Sequence, residues 1–189
     1  MKNTLVSVTI LTYNRPEFLK KTLDSFLSGT TYDNLEFLIW ANSADDPTKK
    51  LINSYDIFSY KYFSPDNKGI GIPRNILNEE AKGKYILHLE EDWELKNENN
   101  DDYVSRACDV LENHSSVGQV LFRKGVFGKG LEAYPDHLGL LYSRRDDFTT
   151  LSHTFTGHPI YSNNPGLVPK HIFNDLGLGP FPENNQEYL

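Results

Sequence analysis

Residues 84–94 have the sequence KYILHLEEDWE, and this stretch decides the fold class. It follows Gly83, begins with mostly apolar residues that favour a β-strand, and ends in the carboxylates Glu90, Glu91 and Asp92. Open α/β sheets bind ligands at the carboxyl ends of their strands. Oxygen ligands of this kind suit Mg²⁺ or Mn²⁺, which proteins hold through one or two carboxylates plus substrate phosphates. The stretch predicts a divalent-metal site for a nucleotide diphosphate, with a solvated acidic strand end as the alternative.

The residues before this stretch alternate between strand and helix patterns. Strands are predicted in three segments: 5–12, 35–41 and 60–64. A helix is predicted after each of them: Pro16 to Gly29, one capped by Asp46 with Pro47 at its first position, and 73–81. Three strand–helix repeats that lead into a fourth strand are typical of a parallel, right-handed α/β sheet.

The second half of the chain has a different character. A helix at 102–113 and a strand at 117–122 are predicted first. From residue 123 onward, glycines and prolines separate short aromatic segments, so we expect an antiparallel or loop-rich region with one short helix at 169–176. No repeat or linker divides the 189 residues, which predicts a single domain.

Composition narrows the function classes. A net charge of -7 argues against a nucleic-acid partner, because nucleic acids attract basic surfaces. The single cysteine, Cys108, excludes an internal disulfide and lies in a helical apolar pattern, so we expect a small buried side chain. No long apolar run or signal peptide is found, and we therefore expect a soluble cytoplasmic protein of undetermined oligomeric state.

Polar residues follow each of the first four predicted strands. In this topology the loops after those strands open at one edge of the sheet, and here they hold residues 12–15, 42–43, 67–69 and 90–92. Arg15 and Arg74 lie in the first turns of two helices, where the helix dipole disfavours cations. For either arginine alone, its place at a helix N-terminus is explained by a side chain that turns outward to water. Two of them beside an acid cluster favour an anionic ligand between them.

Three segments together resemble the family 2 glycosyltransferases of the GT-A fold. They are VSVTILTYNRPEFL at 6–19, Asn67-x-Gly69 followed by Pro73-Arg74-Asn75, and GKYILHLEED at 83–92. The resemblance covers roughly the first half of the chain. It implies an enzyme of hexosyltransferase type that moves a sugar from a nucleotide diphosphate donor, UDP-sugar favoured, to a glycan or other hydroxyl acceptor. Inversion at the sugar and a Mn²⁺ or Mg²⁺ ion are usual in the family.

The fold implied by the resemblance is α/β, with a Rossmann-like, mostly parallel central sheet flanked by helices. Within a single domain at 1–189, residues 1–122 would form the nucleotide-sugar-binding half. Residues 123–189 would form a smaller acceptor half, which we expect to be shortened at its C-terminus, because the family normally continues into a further helix.

Site residues are carried over from the family position by position. Donor-binding roles are implied for Thr12, Tyr13, Arg15, Asn42, Lys68, Arg74, Glu90 and Glu91. The last acid of the family's Asp-x-Asp site corresponds to Asp92, which is the expected metal ligand. Two departures weaken the match: Asn42 stands near a family aspartate, and two of the three acids are glutamates.

The catalytic base is expected near the end of the chain. The family places a carboxylate base in a Glu-Asp pair beyond a Gly-x-Phe turn, and residues 179–188 resemble that passage. Glu187 lies at the base position, with Glu183 as the alternative. Trp93 and the aromatic segment around Phe155 and Tyr161 are candidates for contact with a sugar acceptor.

Other functions fit the sequence less well. A sugar-1-phosphate nucleotidyltransferase normally has a glycine-rich loop after its first strand, and residues 12–15 contain no glycine. A dinucleotide fingerprint at Gly69-Ile70-Gly71 lacks its third glycine. His153 and His158 have no further zinc ligand beside them. A catalytically inactive nucleotide-sugar or glycan-binding module remains the alternative from outside enzyme chemistry.

Overall fold

The computed structural model describes residues 4–95, 102–114, 117–122, 132–133, 141–144 and 165–175. Its strands are β1 (Val6–Thr12), β2 (Leu35–Ala41), β3 (Phe58–Phe63), β4 (Tyr85–Glu90), β5 (Val117–Leu121), β6 (Glu132–Ala133), β7 (Leu141–Arg144) and β8 (Gly166–Pro169). Its helices are α1 (Pro16–Gly29), α2 (Asp46–Asn53), α3 (Gly71–Glu80), α4 (Tyr103–Asn113) and α5 (Ile172–Asp175).

All eight strands form one sheet in the order β3-β2-β1-β4-β8-β5-β7-β6. The pairs β1–β2, β1–β4 and β2–β3 are parallel. β8 is antiparallel to both β4 and β5, and β7 is antiparallel to both β5 and β6, so two strands run against the other six. The sheet is therefore mostly parallel and its antiparallel part comes from the second half of the chain, as predicted.

Strand β1 is the centre of the parallel part, and all seven of its residues are buried. On one face, its valines and Ile10 pack with Leu19, Leu23 and Phe26 of α1. On the other face, Leu11 joins a cluster with Leu77 of α3. Each fully buried aliphatic side chain contributes about 1.5–3 kcal/mol. The continuous apolar run predicted burial on both faces, and the structure confirms it.

Cys108 and His88 are buried residues that can titrate. Burial raises the pKa of the Cys108 thiol to about 12, so the side chain is a small apolar group at neutral pH. His88 lies inside β4, with its Nδ1 at 2.7 Å from Thr9 Oγ1 and its ring against Phe173. Burial, with Arg74 nearby, lowers the pKa of His88 well below its ordinary value, and the ring is neutral.

Several predicted boundaries are wrong, and strand β3 begins at Phe58, two residues before its predicted start at 60. The N-cap of α2 is Asp45, whose Oδ1 accepts from Thr48 N at 2.8 Å, and Asp46 is the first helical residue. Helix α3 begins at Gly71, two residues before Pro73. Pro169 ends strand β8, where a missing N–H is tolerated, and does not open a helix.

In the described part of the chain, no helix is both long and apolar enough to cross a membrane.

The turn before β4 approaches β1 very closely at Gly83. Gly83 N donates to Ser7 Oγ at 2.7 Å and to Glu36 Oε1 at 3.0 Å. A Cβ atom on Gly83 would lie 2.6 Å from the backbone nitrogen of Ser7, closer than real Cβ atoms approach. The absence of a side chain at this position therefore allows β4 to pair with β1.

We expect Gly83→Ala to destabilise the protein by about 1–3 kcal/mol, because the added methyl meets backbone that cannot move aside. Urea unfolding measures this free energy. Lys82→Ala is the matched control, since its side chain is exposed. Equal stability of the two variants would contradict the close approach.

Candidate functional site

The loops at the carboxyl ends of β1 to β4 surround one open cleft of about 600 Å³. This volume lies within the usual range of small-molecule sites. The lining residues are Leu11, Thr12, Tyr13, Asn14, Arg15, Asn42, Asn67, Gly69, Ile70, Glu90 and Glu91. Parallel pairing in register, with Leu11 opposite Glu90 and Thr12 opposite Ala41, brings these distant segments together.

Glu91 is held by helix α1. Its carboxylate is buried, and Arg15 Nε and Nη2 both lie 2.7 Å from Glu91 Oε1. Arg15 Nη1 also lies 3.5 Å from Asp92 Oδ2. Thr22 Oγ1 donates to the Glu91 carbonyl oxygen at 2.7 Å, which ties the backbone of the acidic loop to the same helix. Arg15 is thus the counterion of Glu91 and a neighbour of Asp92.

Glu90 is held in the same way by helix α3. Arg74 is 1% exposed, and its Nη2 lies 3.2 Å from Glu90 Oε1. Burial raises the pKa of Glu90, and the Arg74 guanidinium opposes that shift. Arg74 is not among the residues that line the cleft. Arg15 thus contacts Glu91 and Asp92, and Arg74 contacts Glu90. An anionic ligand between the two arginines stays a prediction.

The three acids consequently do not converge into a metal cage. Glu90 faces Arg74 and Glu91 faces Arg15, while the Asp92 side chain is 41% exposed. Among the described residues, no group of three histidine, cysteine, aspartate or glutamate side chains could hold a metal ion. A divalent ion that takes most of its ligands from substrate phosphates and water molecules needs only one or two carboxylates from the protein. The exposed hard oxygens of Asp92 fit that smaller role.

Two predicted donor-binding residues have partners inside the protein. Asn42 is 3% exposed, and its Oδ1 accepts from Trp40 Nε1 at 2.9 Å and Lys68 N at 3.1 Å. Asn42 Nδ2 donates to Gly69 O at 2.9 Å. The Lys68 ammonium lies 3.2 Å from Asp66 and outside the cleft lining. Asn42 therefore connects β2 to the loop after β3.

Thr12 and Tyr13 line the cleft as expected from their position after β1. Thr12 Oγ1 is buried and has no hydrogen-bond partner within the described residues. Buried hydroxyls are normally paired, so this unpaired oxygen at the end of β1 is an exception. Tyr13 is about half exposed. A half-exposed aromatic ring at the rim of a cleft offers a surface for stacking.

Two cleft residues lie outside the loops predicted from the sequence, Leu11 and Ile70. Leu11 is the next-to-last residue of β1, and Ile70 directly follows the predicted loop at 67–69. Asn14 lies in the predicted loop at 12–15 without an assigned role, although a polar amide directly after a buried strand was a usable signal; its φ is positive. Both candidate bases, Glu183 and Glu187, lie outside the described residues, as do Phe155 and Tyr161.

A mostly parallel sheet with an acid-lined cleft at the carboxyl ends of its strands defines a ligand-binding domain of the open α/β class. The family model for glycosyl transferase family 2 matches residues 7–176, most of the chain. The chain belongs to this family.

Curated relatives match over shorter segments. An uncharacterized glycosyltransferase of Haemophilus influenzae is 29% identical over 117 residues, covering 60% of this chain and 45% of the relative. The Escherichia coli protein WfaP, a UDP-Glc:alpha-D-GlcNAc-diphosphoundecaprenol beta-1,3-glucosyltransferase, is 36% identical over 91 residues, covering 47% of this chain and 35% of that protein. These matches span less than half the length of either relative.

Solved structures have a similar fold. Staphylococcus aureus TarS 1-349 in complex with UDP has a TM-score of 0.65 and 18% identity, covering 97% of this chain and 52% of that one. The Pyrobaculum calidifontis mannosyltransferase PcManGT, in complex with GDP-Man and Mn²⁺, has a TM-score of 0.63 and 17% identity. That match covers 96% of this chain and 48% of PcManGT. At such low identity the likeness establishes the fold.

We expect Arg15 and Glu91 to be coupled by about 1–2 kcal/mol in a double-mutant cycle of Arg15→Ala and Glu91→Gln, measured by urea unfolding. Burial of the Glu91 side chain, which is 6% exposed, strengthens the interaction. The expected coupling is still moderate because the Arg15 side chain is 49% exposed and water screens its charge. The exposed pair Lys20–Asp24 is the control and should couple by about 0.5 kcal/mol or less. Equal coupling in the two cycles would mean that burial of Glu91 adds nothing.

Proposed function

We propose that this chain is a metal-dependent, inverting glycosyltransferase domain that moves a sugar from a UDP-sugar to a hydroxyl group of a glycan or similar acceptor. The observation that carries the proposal is the cleft at the carboxyl ends of β1 to β4, with Glu90 and Glu91 in its lining and Asp92 beside them. UDP appears in the names of two similar proteins, WfaP and the TarS complex, which favours it as the nucleotide.

The donor nucleotide would occupy the open part of this cleft. Tyr13 offers a ring face to the base, and Thr12 Oγ1 is a buried hydroxyl in need of a partner. Glu90 is 29% exposed at the cleft and is a candidate acceptor for ribose hydroxyls. Asn42, Lys68 and Arg74 act indirectly in this proposal, because their polar groups are engaged with the protein.

Asp92 would hold a Mn²⁺ or Mg²⁺ ion together with the diphosphate of the donor. When bound, such an ion neutralises the charge that develops on the leaving phosphates. Arg15 pairs closely with Glu91 and at a longer distance with Asp92, so Asp92 is the more accessible carboxylate of the two. The exposed position of Asp92 leaves its oxygens accessible from solvent.

The acceptor side belongs to residues 123–189 in this proposal, and residues 1–122 bind the donor within one domain. Glu187 would remove the proton from the acceptor hydroxyl, with Glu183 as the alternative. A base on the face of the sugar opposite the leaving diphosphate produces inversion by direct displacement. A cytoplasmic location is part of the proposal, since a single cysteine needs no oxidising compartment.

We expect Asp92→Asn to weaken the Mn²⁺-dependent binding of UDP by at least about tenfold, because the substitution keeps the shape of the side chain and removes its charge. Calorimetric titration with UDP, with and without Mn²⁺, measures the effect. Asp56→Asn is the control, since Asp56 is exposed in the turn before β3 at the opposite end of the sheet. An unchanged Mn²⁺ dependence in Asp92→Asn would remove Asp92 from the metal role.

We expect Glu187→Gln to lower sugar transfer by about 10²–10⁴-fold while leaving UDP affinity unchanged, as for loss of a general base. Product formation and UDP titration on the same protein sample measure the two quantities. Glu183→Gln is the matched comparison. A loss of transfer in that variant alone would assign the base to Glu183. Nucleotide binding without transfer or donor hydrolysis in the unaltered chain would identify a binding module.

A further inference from the structure

Backbone strain is concentrated at one place in the described part of the chain. Asn14 and Ser43 are the non-glycine residues with positive φ there, at 51° and 44°. This region of backbone conformation is unfavourable for residues with a side chain and persists where surrounding contacts impose it. Asn14 lies in the loop after β1, and Ser43 lies in the loop after β2. The two loops form one side of the cleft.

The Asn14 side chain joins these two loops through both of its polar atoms. Its Nδ2 donates to Ser43 O at 3.0 Å, and its Oδ1 accepts from Asp45 N at 2.8 Å. Asp45 in turn is the N-cap of α2. We call this pair of hydrogen bonds, from Asn14 to Ser43 and Asp45, the amide clasp. It connects the first loop of the site to the start of a helix.

The chemistry of asparagine suits this position better than that of other side chains. Asparagine tolerates positive φ more readily than most non-glycine residues. Its amide supplies a donor and an acceptor at once, whereas aspartate at neutral pH only accepts and glycine does neither. Asn14 therefore adopts the positive φ at low cost, and its own side-chain hydrogen bonds hold the backbone in that conformation.

The amide clasp acts on the part of the cleft that faces the donor. Asn14 stands between Tyr13 and Arg15, which both line the cleft. On the other side of the clasp, Asn42 N donates to Thr12 O at 2.9 Å, so the two strand ends are already in register. Beyond Thr12, the loop is held by the amide clasp and by the ion pair of Arg15 with Glu91. A loop held in place before binding pays less ordering entropy when a ligand arrives.

We propose that Asn14 is a positioning residue of the nucleotide site, whose amide clasp holds Tyr13 and Arg15 in place for a nucleoside diphosphate. The assignment rests on the proposed function and extends it, because Asn14 acts through the loop it holds and not as a ligand of the nucleotide. Its loss weakens nucleotide binding and leaves the chemical step intact once the donor is bound.

Asn14→Gly tests the proposal most directly, since glycine accepts positive φ and removes the amide clasp. Asn14→Asp keeps the acceptor for Asp45 N and removes the donor to Ser43 O. Asn113→Ala is the control, because Asn113 Nδ2 makes a side-chain to backbone hydrogen bond of 2.8 Å to Asp109 O on the exposed end of α4. Binding of UDP, GDP and dTDP with Mn²⁺ is measured by calorimetry, donor hydrolysis by initial rates, and stability by urea unfolding.

We expect the Kd of the nucleotide that the unaltered chain binds to rise roughly tenfold in Asn14→Gly, the scale of one or two neutral hydrogen bonds. The KM for its sugar donor should rise in parallel, while kcat at saturating donor stays within about twofold. Asn14→Asp should lie between Asn14→Gly and the unaltered chain, and Asn113→Ala should bind as the unaltered chain does.

Two results would overturn the role of Asn14 and leave the proposed function standing. In the first, Asn14→Gly binds nucleotide as tightly as Asn113→Ala. In the second, kcat and stability of Asn14→Gly both fall while its Kd for nucleotide is unchanged. Failure of the unaltered chain to bind UDP, GDP or dTDP would instead overturn the proposed function, and the role of Asn14 with it. If Asn14→Gly does not fold, equal nucleotide affinity in Asn14→Asp and the unaltered chain would contradict the proposal.

Discussion

The pairing of two arginines with the acids at the end of β4 is the constraint on which the site depends. Glu91 is buried beside Arg15, and Glu90 is partly buried beside Arg74. A buried carboxylate without a counterion is strongly unfavourable, and removing one partner of such a pair is far more damaging than replacing both. Each arginine also lies at a helix N-terminus, where the dipole repels it, and the facing carboxylate compensates for this. Glu90 and Glu91 can therefore line the cleft as paired acids, and Asp92 beside them is the most exposed of the three.

The sheet determines which residues reach the cleft. Strand β1 pairs in parallel with β2 on one side and β4 on the other, so the loops after these strands begin at the same level. Contacts made by the first helix then fix the acidic loop, through Thr22 to the Glu91 carbonyl and through Ser25 to Leu95 N. The order of β2, β1 and β4 in the sheet thus determines both the packing of the core and the position of the cleft.

The parallel half of the fold was predictable because its signals are local. The apolar run of β1 and the Pro16 and Gly29 boundaries of α1 indicate their elements directly. Strand β8 was missed because its four residues begin with glycine and end with proline, and its pairing with β4 is a long-range contact. Parallel topology also predicted which loops surround the cleft. It could not predict that Arg15 contacts Glu91, 76 residues away, or that the amide of Asn42 is used by Trp40 and Lys68.

The most direct measurement is anomalous X-ray scattering from crystals grown with Mn²⁺ and UDP. If the acids of β4 serve a metal-bound nucleotide, a manganese peak should lie at the carboxylate of Asp92, between it and a diphosphate in the cleft bounded by Tyr13 and Glu90. Manganese bound elsewhere, or UDP bound outside this cleft, would contradict the proposed site.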